Sequence, residues 1–211
     1  MKLADMTVTQ FVDTVASDAP APGGGSVAAL AGSIGAALTA MVGNLTQGRK
    51  KYAQYADFAA QVEQKGNELK TQLLDVMDRD TEAFMLVSNA FAMPKATDEE
   101  KAARSAAIQA GLKACTKTPM EMMELCAKAA RLATDFSENG FNDSSASDLG
   151  VAFLSLSAAI RGAWLNVLIN IGSIKDEAFV NAYREKGEML LHHALPLADT
   201  GYEKILAIVT E

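Results

Sequence analysis

The chain has 211 residues, of which 49% are hydrophobic, and this is enough for one sizeable core in a single domain over residues 1–211. Its formal net charge of −7 repels a phosphate backbone, so the composition argues against nucleic-acid binding. Two cysteines without a CxxC or Cys/His cluster argue against a zinc site and a disulfide framework. Because these thiols are expected to be reduced, and residues 1–13 lack the apolar region of a secretory signal, the predicted compartment is the cytoplasm.

The first helix is predicted from its cap residues. Thr7 and Gln10 form a capping-box pattern, which indicates a helix that ends near Ala16. Two prolines in residues 17–22 then predict a non-helical connector, because proline restricts both itself and the residue before it.

The second helix is predicted from near Gly24 to near Thr46. Residues 26–45 carry no charge, and their number is sufficient to span a membrane. They are mostly alanine, glycine and serine, however, and few large apolar groups would drive transfer into lipid. This composition favours a core helix that is packed on all sides, and no membrane contact is expected.

The middle of the chain predicts two more helices. Apolar residues recur at intervals of three and four over residues 51–91, which indicates a long third helix that ends before Pro94. Thr97 with Glu100 forms a second capping-box pattern and predicts a helix over residues 99–116.

Pro119 is expected to open a separate helix that ends near residue 136, because proline is favoured in a first helical turn. The remaining predicted elements are a polar loop over residues 137–145, a helix over residues 148–171 capped by Ser145 or Ser147, and a last helix over residues 175–210. No alternating strand pattern occurs, so the expected fold class is all-α, an antiparallel bundle of long helices.

The turn Pro22-Gly23-Gly24-Gly25-Ser26 is the first candidate for ligand binding. Glycines allow a ligand to approach the main chain, and the start of the following helix offers unpaired N–H groups and a positive dipole end. Such a turn can hold a carboxylate, phosphate or carbonyl oxygen. The alternative is a flexible turn with Ser26 as a helix cap. The turn lacks the Lys-Ser/Thr of a P-loop, which argues against a nucleotide.

Three further polar residues lie within apolar helical sequence. Asp80 is close to the apolar stripe of the third helix, where burial would raise its pKa and suit it to acid–base chemistry. The alternative is a solvated acidic face. Asn166 and Asn170 are four residues apart and share a helical face, so they can read the hydrogen-bonding edge of a heterocycle or form a structural polar pair between helices.

The other candidates are weaker by pattern. Arg49 and Lys51 belong to a basic run that could meet a multiply anionic ligand or could be a solvated turn. Asn142 and Asp148 lie in the loop and helix start that precede the asparagine pair, and helix capping is an alternative explanation for Asp148. No Ser/His/Asp or Cys/His arrangement is visible.

Taken in order along the chain, these segments resemble the formiminotetrahydrofolate cyclodeaminase family. The resemblance extends over nearly the whole sequence, whereas the glycine motif alone would be unspecific. The matching segments are Pro22 to Ser26, Met41-Val42-Gly43 with Thr46 and Gly48-Arg49, Asp80 to Phe84, Pro94-Lys95, Asn142 with Ser147-Asp148, Val151-Ala152, Gly162-Ala163, Asn166-Val167, Ile169-Asn170, Ile174 and Asp176 to Phe179.

The resemblance implies an all-helical, homodimeric folate enzyme that acts at the 5,10-methenyl bridge. The expected reaction converts 5-formiminotetrahydrofolate to 5,10-methenyltetrahydrofolate and releases ammonia. The alternative is methenyltetrahydrofolate cyclohydrolase activity, in which water opens the same ring. A second alternative is a non-catalytic helical binding protein, in which the candidate polar residues would be scattered over the surface.

The resemblance also suggests roles for the candidate residues. Asp80 is the predicted acid/base group, and Asn166 and Asn170 are predicted to orient the pterin or the reacting bridge. The main chain of Gly23 to Ser26 would hold a carbonyl or carboxylate oxygen. Pro22, Asn142 and Asp148 are further substrate-binding candidates. Arg49, Lys51 and Lys95 are the candidates for binding the glutamate tail of a folate that carries one or several glutamates. The reaction requires no metal and no redox cofactor.

Overall fold

The computed structural model describes residues 2–211, and within this range the chain is helical without strands. The α-helices are α1 (Val8–Val15), α2 (Gly24–Thr46), α3 (Ala56–Ala92), α4 (Asp98–Asn139), α5 (Ala146–Ile171) and α6 (Glu177–Thr210). Short 3-10 helices occupy Leu3–Asp5, Lys50–Tyr55 and Asp143–Ser145. The predicted all-α fold is confirmed.

Helix α2 lies in the centre of the bundle and packs against α3, α4 and α5. Its small residues permit this close approach. A Cβ atom on Gly43 would lie 2.8 Å from the Ala59 carbonyl oxygen of α3, and one on Gly35 would lie 3.0 Å from the Ala152 carbonyl oxygen of α5. Any larger side chain at these two positions would push the helices apart, so the glycines fix the spacing on which the rest of the core depends.

Two segments are long and apolar enough to cross a membrane by length and composition, Gly24–Thr46 and Asp143–Ile171. Of the most apolar window in each, 61% and 44% is buried inside the fold. For α2 this burial agrees with the predicted core helix.

Local cap signals predict several helix ends correctly. The Thr7 and Thr97 capping boxes both form, with the side chains of Gln10 and Glu100 as their partners. The predicted bounds of α2, Gly24 and Thr46, also agree with the structure. Within α1, Phe11 is buried, whereas Val12 and Val15 are exposed.

The predicted start of the third helix at residue 51 is wrong, because Lys50–Tyr55 forms a 3-10 helix and α3 begins at Ala56. Tyr52 has non-helical backbone angles and is buried. Its hydroxyl accepts a hydrogen bond from the Asp143 N–H and donates to Asp143 Oδ2. This contact with a distant segment outweighs the local preference for an α-helix.

The prediction of two helices separated near Pro119 is also wrong. α4 runs from Asp98 to Asn139 with Pro119 inside it. Helix α5 begins at Ala146 rather than at residue 148. The Ser145 side chain donates to the Asn142 carbonyl and does not cap this helix. α6 begins at Glu177, where Asp176 is the N-cap and accepts a hydrogen bond from the Phe179 N–H.

Candidate functional site

Side chains from α3, α4 and α5 converge on the start of α2. A Cβ atom placed on Gly25 would lie 3.2 Å from Asp80 Cγ, closer still to Asp80 Oδ2, and 3.5 Å from Asn166 Oδ1. The same atom on Gly24 would lie 3.7 Å from Asn166 Nδ2. From α4, Thr118 Oγ1 donates a hydrogen bond to Asp80 Oδ1 at 2.7 Å. The predicted glycine, carboxylate and amide candidates therefore lie together, whereas a scaffold protein was expected to scatter them.

The start of α2 offers free main-chain donors. Gly23 is the N-cap in an extended conformation and has no side chain to accept from the first turn. The first helical hydrogen bond runs from the Val27 N–H to the Gly23 carbonyl, so the N–H groups of Gly24, Gly25 and Ser26 precede the helical pattern. Gly23 and Gly24 are exposed, whereas Pro22, Gly25 and Ser26 are buried. This end of the helix can accept an oxygen atom of a ligand.

Asp80 is half-buried in α3. Burial raises the pKa of its carboxyl group above the ordinary value, and the hydrogen bond from Thr118 offsets part of that rise. The predicted direction of the pKa shift therefore agrees with the structure. A carboxyl group with a raised pKa exchanges a proton more readily near neutral pH, as an acid–base group requires.

The amides of Asn166 and Asn170 differ in how they are bonded. Asn166 Nδ2 donates to the Gly162 carbonyl at 2.9 Å, while its Oδ1 lies toward Gly25. Asn170 Nδ2 donates both to the Cys115 carbonyl at 2.7 Å and to the Asn166 carbonyl at 2.8 Å. Asn170 therefore forms the structural link between helices that was the alternative prediction, and Asn166 is the amide that faces the glycine turn.

The contribution of α4 to the site is not predicted by the sequence patterns. Thr118 bonds Asp80, and the buried thiol of Cys115 lies near it, with a pKa raised to about 11 by burial and by the charge of Asp80. A signal for this segment was present, because Pro119 interrupts an otherwise regular helical pattern. By local rules, that interruption predicts a boundary between helices and not part of a site.

Three of the predicted substrate-binding residues lie at the opposite end of α2. Asn142 donates from its main-chain N–H to Thr46 Oγ1 and from Nδ2 to the Leu45 carbonyl, at the last turn of the helix. Lys51 pairs with Asp143 at 3.0 Å, and Arg49 follows the same helix end. Since α2 rises 1.5 Å per residue, Gly25 and Thr46 are about 30 Å apart. Within one chain, Arg49, Lys51 and Asn142 therefore do not belong to the site around Asp80.

The two other predicted residues lie elsewhere again. Asp148 is in the first turn of α5, about 27 Å along that helix from Asn166. Lys95 follows the end of α3, about 20 Å from Asp80, and lines a cavity of about 400 Å³ together with Lys101, Arg104 and Lys175. Of these two, Lys95 is in a setting that suits an anion.

Over residues 2–211, no three His, Cys, Asp or Glu side chains come together in a way that could hold a metal ion. The polar atoms at the candidate site are one carboxylate, one hydroxyl, the amides of Asn166 and Asn170, and main-chain N–H groups. This set can bind polar atoms of an organic molecule and transfer a proton.

Comparison with known proteins gives consistent results. A family model described as formiminotransferase-cyclodeaminase matches residues 7–189. The chain is 43% identical over 199 residues to methenyltetrahydrofolate cyclohydrolase of Methylorubrum extorquens, a match that covers 94% of this chain and 95% of the relative. It is 34% identical over 192 residues to formimidoyltransferase-cyclodeaminase of Rattus norvegicus, which covers 91% of this chain.

The match to the rat protein covers 35% of that protein, so the chain spans about a third of its length. Among solved structures, formiminotetrahydrofolate cyclodeaminase from Thermotoga maritima superimposes with a TM-score of 0.83 at 26% identity. That match covers 99% of this chain and 98% of the other. The helical bundle described above is therefore shared over its whole length with that protein.

Proposed function

The chain belongs to the formiminotransferase-cyclodeaminase family, and on that premise we propose that it is a folate one-carbon enzyme acting at the 5,10-methenyl bridge. The observation that carries the proposal is the meeting of Asp80 with the open main-chain donors at Gly24 and Gly25. A carboxyl group with a raised pKa and an oxygen-binding helix start are the two features that ring opening by water requires.

In the cyclohydrolase reaction, water adds to the carbon of the methenyl bridge. The bridge is an amidinium cation, and the Asp80 carboxylate both complements this charge and accepts a proton from the water. The bond from the carbon to N5 then breaks as Asp80 passes its proton to N5. The hydroxyl group on the carbon releases its remaining proton to solvent, and its oxygen becomes the formyl oxygen on N10. The N–H groups of Gly24 and Gly25 stabilise the oxygen as it takes on negative charge.

The proposed primary reaction is cyclohydrolase activity. The relative with 43% identity carries this name, and the match covers 95% of its length. Cyclodeaminase activity is the second candidate, and it is favoured by the names of the rat and Thermotoga proteins. There N10 attacks the formimino carbon and ammonia leaves, so the same carboxyl group would take the N10 proton and protonate the leaving nitrogen.

The two reactions are distinguished by offering each substrate to the purified protein. Cyclohydrolase activity predicts faster loss of the methenyl chromophore from 5,10-methenyltetrahydrofolate than in buffer. Cyclodeaminase activity predicts formation of that chromophore from 5-formiminotetrahydrofolate with an equal amount of ammonia. Asp80→Asn is the control for contaminating enzymes. Absence of turnover of both substrates would refute the proposed function.

The cavity at Lys95 supports binding of a folate with several glutamates. The cavity has four cationic side chains and lies beyond the end of α3, which is about 18 Å along that helix from Asp80, a direction in which an extended tail can run. Lys95 and Lys175 rather than Arg49 and Lys51 are therefore the proposed tail contacts. Lys95→Ala is expected to raise KM for a pentaglutamate substrate more than for a monoglutamate, and an equal change in both values would contradict this assignment.

A homodimer is proposed from the exposed apolar stripes of α2 and α5, two helices that pack against each other. The stripe residues on α2 and α5 are Val27, Ile34, Met41, Leu45, Val151, Leu154, Leu165 and Ile169. Leu165 and Ile169 are next to Asn166 and Asn170, so a second copy would lie beside the site.

Cytoplasmic location is proposed as well, and the free, buried cysteines support it. The reaction transfers no electrons and needs no redox cofactor.

A further inference from the structure

Thr118 differs from the other buried threonines in its choice of hydrogen-bond partner. The hydroxyl of a helical threonine usually bonds the carbonyl four residues earlier in its own helix. Four buried threonines of this chain do so, namely Thr39, Thr46, Thr116 and Thr134. Thr118 instead donates to Asp80 Oδ1 on α3 at 2.7 Å. Its hydroxyl therefore forms a hydrogen bond between α4 and α3.

Because of this contact, the two carboxylate oxygens of Asp80 have different surroundings. Oδ1 accepts from Thr118, and Oδ2 lies on the side of Gly25, where an added Cβ would approach it most closely. Oδ2 is thus the oxygen that faces the start of α2 and the Asn166 amide. Without the Thr118 hydroxyl, the carboxyl group could rotate about its bond to Cβ and lose this orientation.

The position of Thr118 itself depends on an unusual turn of α4. Pro119 has no N–H, so the Cys115 carbonyl loses its partner in the helix. Asn170 Nδ2 donates to that carbonyl at 2.7 Å and thereby joins α5 to α4. Cys115 and Thr118 are three residues apart, so the Asn170 bond secures the turn that presents the Thr118 hydroxyl to Asp80.

We propose that Thr118 is a positioning residue that holds Asp80 Oδ2 toward the reacting bridge, and that Asn170, through the carbonyl left open by Pro119, holds Thr118. The proposal rests on the proposed function, which makes Asp80 the group that transfers the proton. It gives Asn170 a role different from the predicted contact with the pterin. It also explains why a proline is accommodated inside a helix that passes the site.

The groups around Asp80 make its titration a usable readout. The ionisable group that faces it from α4 is Cys115, whose pKa of about 11 keeps it neutral near pH 7. From α2 it is met by the main chain of Gly25, and from α5 by the uncharged Asn166. Arg79, its neighbour on α3, pairs with Asp75 and Glu121. A change at Thr118 therefore alters the hydrogen bonding of Asp80 without changing the charges that face it.

The test compares Thr118→Val, Thr118→Ser and Thr116→Val. Thr116→Val is the matched control, because it removes a buried hydroxyl from the same helix whose bond is to the Leu112 carbonyl. Two quantities are measured, the Asp80 carboxyl titration by carbon NMR, assigned with Asp80→Asn, and the acidic limb of the pH–rate profile. Thr118→Val is expected to raise both midpoints by about one pH unit, since the lost bond favoured the charged carboxylate.

Thr118→Ser is expected to restore both midpoints, and Thr116→Val to leave them unchanged. A Thr118→Val protein with the same titration and pH profile as Thr116→Val would overturn the proposal. If the valine variant does not fold, Thr118→Ala, which adds no bulk beside Asp80, gives the same comparison. Failure of the wild-type protein to turn over either folate would refute the proposed function instead, while the NMR titration would still decide whether Thr118 controls Asp80.

Discussion

A methyl group on Gly25 is expected to displace the Asp80 carboxylate while the protein stays folded. The added Cβ would lie inside 3.0 Å of Asp80 Oδ2, whereas ordinary contacts begin at 3.4 Å. The carboxylate must therefore withdraw by at least about 0.4 Å, the difference between these two limits. Thr118 resists this movement, because it holds the other carboxylate oxygen at 2.7 Å.

The substitution is expected to affect stability and turnover differently. Alanine stabilises a helix by about 1 kcal/mol relative to glycine, and a strained Asp80 rotamer costs about 0.5–1.5 kcal/mol. These effects oppose each other, so the free energy of unfolding should change by no more than about 1 kcal/mol. Turnover should fall by about 10- to 100-fold, since a misplacement of about 1 Å can cost about 100-fold in rate.

Gly24→Ala is the matched control for this experiment. Its Cβ would lie 3.7 Å from Asn166 Nδ2, which is an ordinary contact, and it adds the same methyl group to the same helical turn. Both variants are assayed for kcat with 5,10-methenyltetrahydrofolate, and their thermal unfolding is recorded. Equal kcat values for Gly25→Ala and Gly24→Ala would refute the reasoning, because Asp80 would then work independently of its position beside Gly25.

Three other changes test separate parts of the structure. Burial raises the folded-state pKa of Asp80, so its stabilising contribution is present below the unfolded pKa of about 3.9 and is lost as pH rises through the folded value. In urea unfolding, Asp80→Asn should therefore gain stability relative to wild type as the pH rises above the unfolded-state pKa, and a difference that does not change with pH would contradict the shift. Asn170→Leu leaves the Cys115 carbonyl unpaired and should lose about 1–3 kcal/mol, whereas the exposed control Asn181→Leu should not. Ile169→Glu should dissociate the proposed dimer in light scattering, and an unchanged mass would refute that interface.

Helix ends were predictable where the deciding residues are close in sequence. The Thr7 and Thr97 capping boxes each join residues three positions apart, so both can be predicted from the local sequence without knowledge of the fold. The helix boundary predicted at Pro119 is wrong because the donor that compensates for the proline, Asn170, is 55 residues along the chain from the Cys115 carbonyl that it bonds. The preference of proline for a helix start was a correct local rule, and a contact between helices overrode it.

The candidate site was predictable in composition but not in extent. Gly25, Asp80 and Asn166 were selected because each is unusual in its own helix, and the fold brings them together. The prediction that Arg49 and Lys51 bind the substrate rests on their charge and on the family resemblance. Neither of these gives their distance from Gly25 or Asp80. Only the length of α2 reveals that they lie about 30 Å from Gly25 in the same chain.

The site lies where two helices have incomplete main-chain hydrogen bonding. At the start of α2, the glycine N-cap leaves donors open, and in α4, Pro119 leaves the Cys115 carbonyl open. Asn170 donates a hydrogen bond to the Cys115 carbonyl and so fills the defect in α4. No side chain caps the start of α2, so the defect there stays open. The open donors at Gly24 and Gly25 are therefore the ones to which the proposed function assigns the substrate oxygen, and the filled defect lies in the helix whose Thr118 is proposed to align Asp80 with them.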